Sequence, residues 1–231
     1  MSSKPRWLPL ESNPDVLNKF VRNMGMSGEY QFTDVYGLDE ALLAMVPRPV
    51  LAVVLLFPIG DAYEASNAAE AEEIRERGQV VSENLFSMKQ TISNACGTVG
   101  VFHAIGNNLD KITLKEDSPL DKYFKACEGK SREEIGHMLE HAEGVSTAHE
   151  ASANQGQTQA PPLEEQLDLH FIALVHKDGF LYELDGNKDF PINHGATTEE
   201  RLLEDSATVI RKFMSRKPDD LRFTVMALTK A

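Results

Sequence analysis

Apolar residues recur along the chain in two ways, either with the spacing of a helix or in short unbroken runs. Asn13-Pro14 has the signature of a helix start, an N-cap followed by a proline suited to the first turn. Apolar residues then follow at helical spacing up to Gly25. By contrast, Val50 to Phe57 is a continuous apolar run of strand length, which is typical of a central strand covered on both faces.

The same reasoning divides the rest of the chain into helices and strands, bounded by cap residues, glycines and prolines. Capping-box spacings predict helix starts at Ser131 and Thr197. Predicted helices cover 39–46, 62–78, 97–105, 118–129, 131–143 and 197–217, and predicted strands cover 32–36, 221–228 and the runs that flank 178–179. Helices around one sheet with a hairpin indicate an α/β layered fold. A chain of 231 residues, 42% of them apolar, is long enough for one substantial core or at most two small domains.

One cysteine lies at a predicted helix start, within the segment QTISNACGTVG. Ser93 and Asn94 are cap-type residues, which would place Cys96 in the first turn. There the positive end of the helix dipole favours a thiolate. Gln90, upstream of the cysteine, could donate a side-chain N–H to an oxyanion formed beside that sulfur. The alternative is that Cys96 is a small buried core residue.

A predicted hairpin supplies a histidine and a carboxylate on one face. Asp178-Gly179 between two β-rich runs is typical of a two-residue turn, and this turn places Asp185 opposite Ile172. His170 is then the diagonal neighbour of Asp185, so that their side chains come within interaction range. A carboxylate beside an imidazole fixes its tautomer, as a catalytic pair with a thiol requires. A bulge at the turn would break this arrangement. The alternative interpretation is that His170 is a core histidine whose hydrogen bonds have only a structural role.

Residues 144 to 162 interrupt the pattern, with many small polar residues and two prolines. We predict that Gly144 to Pro162 cannot bury enough apolar surface to order itself, and such long loops are usually lids or linkers. The proposed nucleophile precedes this segment and the proposed base follows it, so the chain must return to the same site. We therefore expect a mobile crossover loop at about 144–162 and not a linker between two domains.

The chain order of the candidate residues, Gln90, Cys96, His170 and Asp185, is that of papain-like thiol proteases. The segments QTISNACGTVG, DLHFIALV, LYELDG and FPINHG, with RWLPLES near the start, resemble the ubiquitin carboxyl-terminal hydrolase family, and above all its small single-domain L-type isozymes. The likeness covers essentially the whole chain. It implies one domain over 1–231 with papain-like cysteine peptidase architecture: a central, mainly antiparallel sheet flanked by helices, with a knotted backbone.

The resemblance also implies a function and a set of site residues. The function would be cleavage of small adducts or short peptides from the C-terminal glycine of ubiquitin, or of a close ubiquitin-like modifier. Cys96 would be the nucleophile, His170 the general base and acid, Asp185 the orienting group and Gln90 the oxyanion donor. Residues implied to receive ubiquitin are Trp7, Pro9, Leu10, Leu56, Leu167 and Leu169 for its apolar patch and tail, and Asp34 and Asp220 for its tail arginines.

The formal net charge of −13 argues against nucleic acid and anionic membranes as partners. It favours a basic partner, and the tail of ubiquitin is basic. The first residues carry no continuous apolar core, so we expect no secretory signal, and the longest apolar run is too short to span a bilayer. Cys96 and Cys127 are then expected as reduced thiols of the cytoplasm or nucleus. We expect a monomer that needs no metal and no organic cofactor.

Two other functions are compatible with parts of this pattern. One is a non-catalytic ubiquitin-binding protein that keeps the fold, and the intact set of four candidate residues argues against it. The other is a papain-type enzyme that acts on unrelated peptides or amides. Hydrolysis of a fluorogenic ubiquitin C-terminal amide, measured beside a short peptide amide, separates all three.

Overall fold

The computed structural model describes residues 5–157, 162, 165 and 167–231. Its centre is a six-stranded sheet in which every neighbouring pair of strands is antiparallel. The strands are β1 (Tyr30–Asp34), β2 (Val50–Pro58), β3 (Leu169–Lys177), β4 (Phe180–Leu184), β5 (Ile192–Ala196) and β6 (Thr224–Lys230). Their order across the sheet is β1-β6-β2-β3-β4-β5. The prediction of a central, mainly antiparallel sheet is confirmed.

Helices cover both faces of this sheet. Within the described residues they are α1 (Pro14–Asn23), α2 (Glu40–Leu43), α3 (Asp61–Arg77), α4 (Cys96–Gly106), α5 (Pro119–Cys127), α6 (Arg132–Leu139), α7 (Glu143–Ala153) and α8 (Leu202–Arg216). Apolar residues of α1, α4, α5 and α7 form one core against the sheet. Those of α8, with α2 and the start of α3, form a second core on the opposite face. The predicted arrangement of helices around one sheet is therefore confirmed.

Strand β2 separates the two cores, as its unbroken apolar run predicts. Val54 faces the α4 side, whereas Val53 and Leu55 face the α8 side, and all three are fully buried. Each such side chain contributes about 1.5–3 kcal/mol through burial. The strand lies between β3 and β6 at the middle of the sheet, so both of its faces are covered.

Several predicted helix starts are confirmed by their caps. The Asn13 side chain accepts a hydrogen bond from the Asp15 N–H at 2.9 Å, directly before α1. At α6 the reciprocal capping box of Ser131 and Glu134 is complete, with distances of 3.2 and 2.8 Å. This helix ends at Leu139, earlier than predicted, and a separate helix begins at Glu143.

The predicted helix start at Thr197 is wrong. Its hydroxyl donates to Asp205 Oδ2 at 2.7 Å, and its backbone N–H donates to Gly179 O at 3.0 Å. The residue therefore continues from the edge strand β5, and α8 starts only at Leu202. The pattern did not predict β5, because only Ile192 and Ala196 of its five residues have apolar side chains. The last strand likewise begins later than predicted, at Thr224, because the preceding residues form a turn closed by the hydrogen bond from Phe223 N to Leu221 O.

Part of the predicted crossover loop is helical, so that prediction is wrong for residues 144–153. Helix α7 buries His149 and small side chains such as Ala148 and Ala153 against α1 and α5. Although this segment is poor in large apolar residues, His149 holds it with a buried hydrogen bond to Thr98 and a part-buried one to the Leu8 carbonyl. Residues 158–161 of the predicted loop lie outside the described residues. The knot and the single-domain organisation stay predictions.

In the part of the chain that the structure describes, none of the helices has the length and apolar character needed to cross a membrane.

Candidate active site

Cys96 is the first residue of α4, a helix whose residues 97–105 are all buried. The predicted helix start is confirmed, but the predicted caps are wrong. The N-cap position is Ala95, and no side chain caps the helix. Asn94 instead adopts a left-handed backbone conformation, with φ 63°. The backbone of Ser93 pairs with the N-terminal segment, accepting from Trp7 N at 3.0 Å.

Glycine allows the start of α4 to lie directly on the sheet. A Cβ atom at Gly97 would lie 3.1 Å from Leu10 Cβ and 3.4 Å from the ring of Phe171. Such distances leave little room for any side chain at this position. The close approach brings the thiol of Cys96 beside His170, the neighbour of Phe171 on β3.

His170 and Asp185 form a buried pair, with 2.7 Å between Nε2 and Asp185 Oδ1. The hairpin register places them there. Pairing runs without a break from Lys177↔Phe180 to Ala173↔Leu184. Both turn residues, at 178 and 179, have positive φ of 47° and 83°, the signature of a type I′ turn. The proximity predicted from the two-residue turn is therefore confirmed.

The electrostatics of this pair favour an imidazolium beside the cysteine. Burial acts to lower the pKa of His170, but the charge and hydrogen bond of Asp185 and the contact with Cys96 outweigh it and raise that pKa. Burial acts to raise the pKa of Asp185, yet the charge and hydrogen bond of His170 lead the contacts that lower it. The pair is thus arranged to hold a positive charge next to the thiol.

Tyr63, on α3, also belongs to the site, and sequence reasoning missed it. Its hydroxyl donates to Asp185 Oδ2, while the Asn187 N–H donates to Oδ1 at 2.8 Å. The sequence predicts a helix over 62–78 and indicates no functional role for its residues. The available signal was that Tyr63 is the only aromatic residue in an alanine- and glutamate-rich stretch, directly after a buried strand.

Gln90 lies against the residue that follows Asp185. Its backbone N–H donates to Gly186 O at 2.9 Å, and a Cβ atom on Gly186 would lie only 2.8 Å from Gln90 Cβ. The side-chain Nε2 donates to Ile92 O at 3.1 Å. Because a carboxamide nitrogen carries two N–H groups, one of them is not used by this bond. The role of Gln90 as an oxyanion donor stays a prediction.

An apolar cavity of about 230 Å³ lies beside Cys96. It gathers most of the apolar residues predicted to receive ubiquitin: Pro9, Leu10, Leu56, Leu167 and Leu169. Ala153, at the end of α7, also lines this cavity, so the crossover segment contributes to its wall. The cavity is thus an apolar surface that leads to the thiol.

The other three residues predicted to receive ubiquitin are not among the described residues that line this cavity. The ring of Trp7 packs on His149, with 4.4 Å between their centroids. Asp34 lies at the end of β1, where burial and the charge of Asp15 raise its pKa. Asp220 is engaged by Arg222, whose guanidinium donates to both carboxylate oxygens at 3.0 and 2.8 Å. An arginine of a ligand would have to displace Arg222 from this carboxylate or share the carboxylate with it.

The described residues contain no group of three or more His, Cys, Asp or Glu side chains that could hold a metal ion.

A thiol at a helix start, beside a buried pair made by a histidine on β3 and the aspartate that follows β4, defines a cysteine peptidase of papain-like architecture. Residues 7–215 match the family described as "Ubiquitin carboxyl-terminal hydrolase, family 1", and the chain belongs to that family. Similar curated proteins span nearly the same length. A ubiquitin carboxyl-terminal hydrolase of Drosophila melanogaster is 45% identical over 229 residues, covering 97% of this chain and 98% of that protein. The human isozyme L1 is 41% identical over 223 residues, covering 96% and 98%.

A probable ubiquitin carboxyl-terminal hydrolase of Dictyostelium discoideum is 44% identical over 230 residues, covering 100% of this chain and 90% of that protein. Among solved structures, the UCH37 catalytic domain of Trichinella spiralis, bound to ubiquitin vinyl methyl ester, superposes with a TM-score of 0.75. The alignment covers 98% of this chain and 96% of that domain at 19% sequence identity. The two chains therefore share their fold.

Proposed function

We propose that this protein is a deubiquitinating cysteine peptidase that releases small adducts or short peptides from the C-terminal glycine of ubiquitin. The observation that carries the proposal is the buried pair of His170 and Asp185, which lies beside Cys96 at the edge of an apolar cavity. Family membership and the names of the relatives support the same substrate. A close ubiquitin-like modifier is a further candidate substrate.

The reaction follows from the positions of these groups. The Cys96 thiolate attacks the carbonyl carbon of the terminal glycine, and a C–S bond forms as the carbonyl oxygen becomes an oxyanion. His170 then gives its proton to the leaving nitrogen, the C–N bond breaks and a thioester remains. Water, deprotonated by His170, attacks the thioester and releases ubiquitin with a free carboxylate and Cys96 as the thiolate. Asp185 stays ionised and keeps the imidazole oriented.

The oxyanion of each tetrahedral intermediate needs hydrogen-bond donors. The backbone N–H of Cys96 is at the start of α4, where the first N–H groups of a helix have no partner within the helix. The free N–H of the Gln90 carboxamide is the second candidate donor. Together they would supply the stabilisation that single donors of this kind provide, about 10² to 10³ in kcat each.

The cavity beside Cys96 suits the end of a flexible chain and not a folded domain. Its walls come from the N-terminal segment at Leu10, from β2 and β3, and from the end of α7 at Ala153. Gly156 continues past α7 toward Glu11, since a Cβ atom there would lie 2.4 Å from Glu11 Oε2. The end of the described crossover segment thus lies close to the N-terminal segment beside the site, which supports its role as a size filter on the leaving group.

An insertion tests the size filter. A flexible Gly/Ser stretch placed after Gln157 lengthens the crossover segment without changing α7 or the contact of Gly156. We expect little change in hydrolysis of a small ubiquitin amide, because loop-closure entropy changes slowly with length. Cleavage of di-ubiquitin should increase. An insertion of a single residue serves as the control. If both variants discriminate equally between the small amide and di-ubiquitin, selectivity comes from other contacts.

The direct test of the function compares two amides under the same conditions. Hydrolysis of a fluorogenic ubiquitin C-terminal amide, with little hydrolysis of a short peptide amide, is the expected result. Activity on both amides would indicate a papain-type enzyme of broad substrate range. Binding of ubiquitin without turnover would indicate a non-catalytic ubiquitin-binding protein. Either outcome would refute the proposal.

We further propose that the protein works as a monomer in the cytoplasm or nucleus. A thiol nucleophile needs a compartment that keeps it reduced. One chain supplies both the proposed catalytic residues and the cavity beside Cys96, so that a second copy is not required to complete the site. Light scattering across a concentration series tests the monomer, and imaging of the full chain in cells tests the location.

A further inference from the structure

Both oxygens of the Asp185 carboxylate are held, and each by a different element of the fold. His170 Nε2 lies 2.7 Å from Oδ1, which also accepts from the Asn187 N–H at 2.8 Å. Oδ2 accepts from the hydroxyl of Tyr63. No other side chain among the described residues donates a hydrogen bond to Oδ2. The carboxylate therefore has His170 on one oxygen and Tyr63 on the other.

The ring of Tyr63 is fixed by packing as well as by this hydrogen bond. Tyr63 is 7% exposed and lies in the first turn of α3. Its ring packs edge-on against Phe57, with 5.1 Å between centroids, and Phe57 packs in turn on Phe213 at 4.8 Å. It also lies 6.5 Å from the ring of His170. The hydroxyl is thus presented to Asp185 from a rigid support.

The hydroxyl is a permanent donor. Burial and the negative charge of Asp185 both raise the pKa of Tyr63 far above its ordinary value, so the phenol keeps its proton across the whole working range. A donor that never ionises can hold a buried carboxylate without competing with His170 for charge. Removal of the hydroxyl would leave Oδ2 buried without a partner, which is costly for an ionised group.

We infer that Tyr63 is a positioning residue for the hydrolysis, holding Asp185 in the orientation from which it directs His170 toward Cys96. The inference rests on the proposed function for its kinetic consequences. Its structural basis, the hydrogen bond between Tyr63 and Asp185, can be tested without substrate. The competing interpretation is that Tyr63 serves only as a packed aromatic ring of the core.

Other ionisable groups also face this carboxylate. They are His170 on β3, His103 on α4 and Arg132 on α6, whose guanidinium also donates to the Asp185 backbone carbonyl at 3.4 Å. The charge of Glu183 on β4 acts on Tyr63. All of them are retained when Tyr63 is replaced by phenylalanine. Any change that this substitution causes at Asp185 therefore results from the loss of one neutral hydrogen-bond donor, the Tyr63 hydroxyl.

The test is Tyr63→Phe, which keeps the ring and removes only the hydroxyl. The matched control is Phe213→Leu, which disturbs the same aromatic stack at a residue outside the catalytic pair. For hydrolysis of a ubiquitin C-terminal amide we expect Tyr63→Phe to lower kcat about 10-fold with KM within about 2-fold, as for loss of a hydrogen bond to a charged group. Phe213→Leu should lower thermal stability and leave kcat and KM of the folded enzyme within about 2-fold of wild type.

A substrate-free measurement keeps this inference separate from the proposed function. In ¹⁵N-edited NMR of the imidazole groups, the Nε2–H resonance of His170, which is bonded to Asp185, should shift in Tyr63→Phe and not in Phe213→Leu. If wild type does not hydrolyse ubiquitin amides, the proposed function fails and the resonance alone decides the inference. An unchanged resonance, or an unchanged kcat in an active enzyme, would overturn the positioning role.

Discussion

His149 should make the protein less stable in weak acid. It is 2% exposed, between α4 and the N-terminal segment, with 2.7 Å from Nδ1 to Thr98 Oγ1 and 2.6 Å from Nε2 to Leu8 O. Burial lowers its pKa to about 4, against a smaller opposing effect of the Leu8 carbonyl. In the unfolded chain the ordinary value applies, about 6.5. The unfolded state therefore binds a proton that the folded state rejects, and stability falls as the pH drops from about 6.5 to about 4.

The magnitude follows from these two values. The difference in pKa between the unfolded and the folded state corresponds to about 3 kcal/mol in the free energy of unfolding. About 2 kcal/mol of this is lost between pH 7 and pH 5. This residue joins helix α7 to Thr98, two residues beyond the nucleophile, and to Leu8, beside the cavity wall. Opening of this contact should therefore reduce turnover over the same pH range in which it reduces stability.

The assay is urea denaturation at pH 7 and pH 5 for wild type and His149→Gln. The variant cannot take up the proton, so we expect it to be less stable at pH 7 but to lose about 2 kcal/mol less than wild type on acidification. His141→Gln, at an exposed histidine, is the control and should behave as wild type. Equal losses in wild type and His149→Gln would refute the reasoning, because the other titrating groups are common to both proteins.

Three further predictions concern the reaction itself. Cys96→Ala should abolish hydrolysis, by several orders of magnitude, while calorimetry still detects ubiquitin binding; turnover near that of wild type would contradict the assignment. Gln90→Ala should lower kcat by about 10² to 10³ with little change in affinity, and steady-state kinetics showing an effect on KM alone would mean that Gln90 only binds substrate. Asp34→Asn should slow association with ubiquitin and weaken its salt dependence, so identical kcat/KM across an ionic-strength series in both proteins would refute its electrostatic role.

The catalytic pair could be predicted from the sequence because its geometry depends on local rules. A two-residue turn at Asp178-Gly179 sets the hairpin register, and the register in turn places His170 near Asp185. The central position of β2 could also be predicted from local sequence, because an unbroken apolar run of this length is typical of a strand covered on both faces.

Two of the features that were missed depend on contacts distant in sequence. The bond between Tyr63 and Asp185 joins residues on α3 and beyond β4, and no periodicity reports such a pair. Helix α7 is ordered by His149, whose partners lie on α4 and in the N-terminal segment. The engagement of Asp220 by Arg222 is local, but a carboxylate seen alone in sequence does not reveal whether its partner is the chain itself or a ligand.

The proposed function requires Cys96 to be the nucleophile that attacks the C-terminus of ubiquitin. The most direct measurement is incubation with ubiquitin vinyl methyl ester followed by mass spectrometry of the intact protein and of its peptides. Cys127, the other cysteine, is buried, and burial raises its pKa to about 11 although the Tyr123 hydroxyl opposes this. We expect one ubiquitin per chain, attached to Cys96 and absent in Cys96→Ala. No adduct, or an adduct on Cys127, would contradict it.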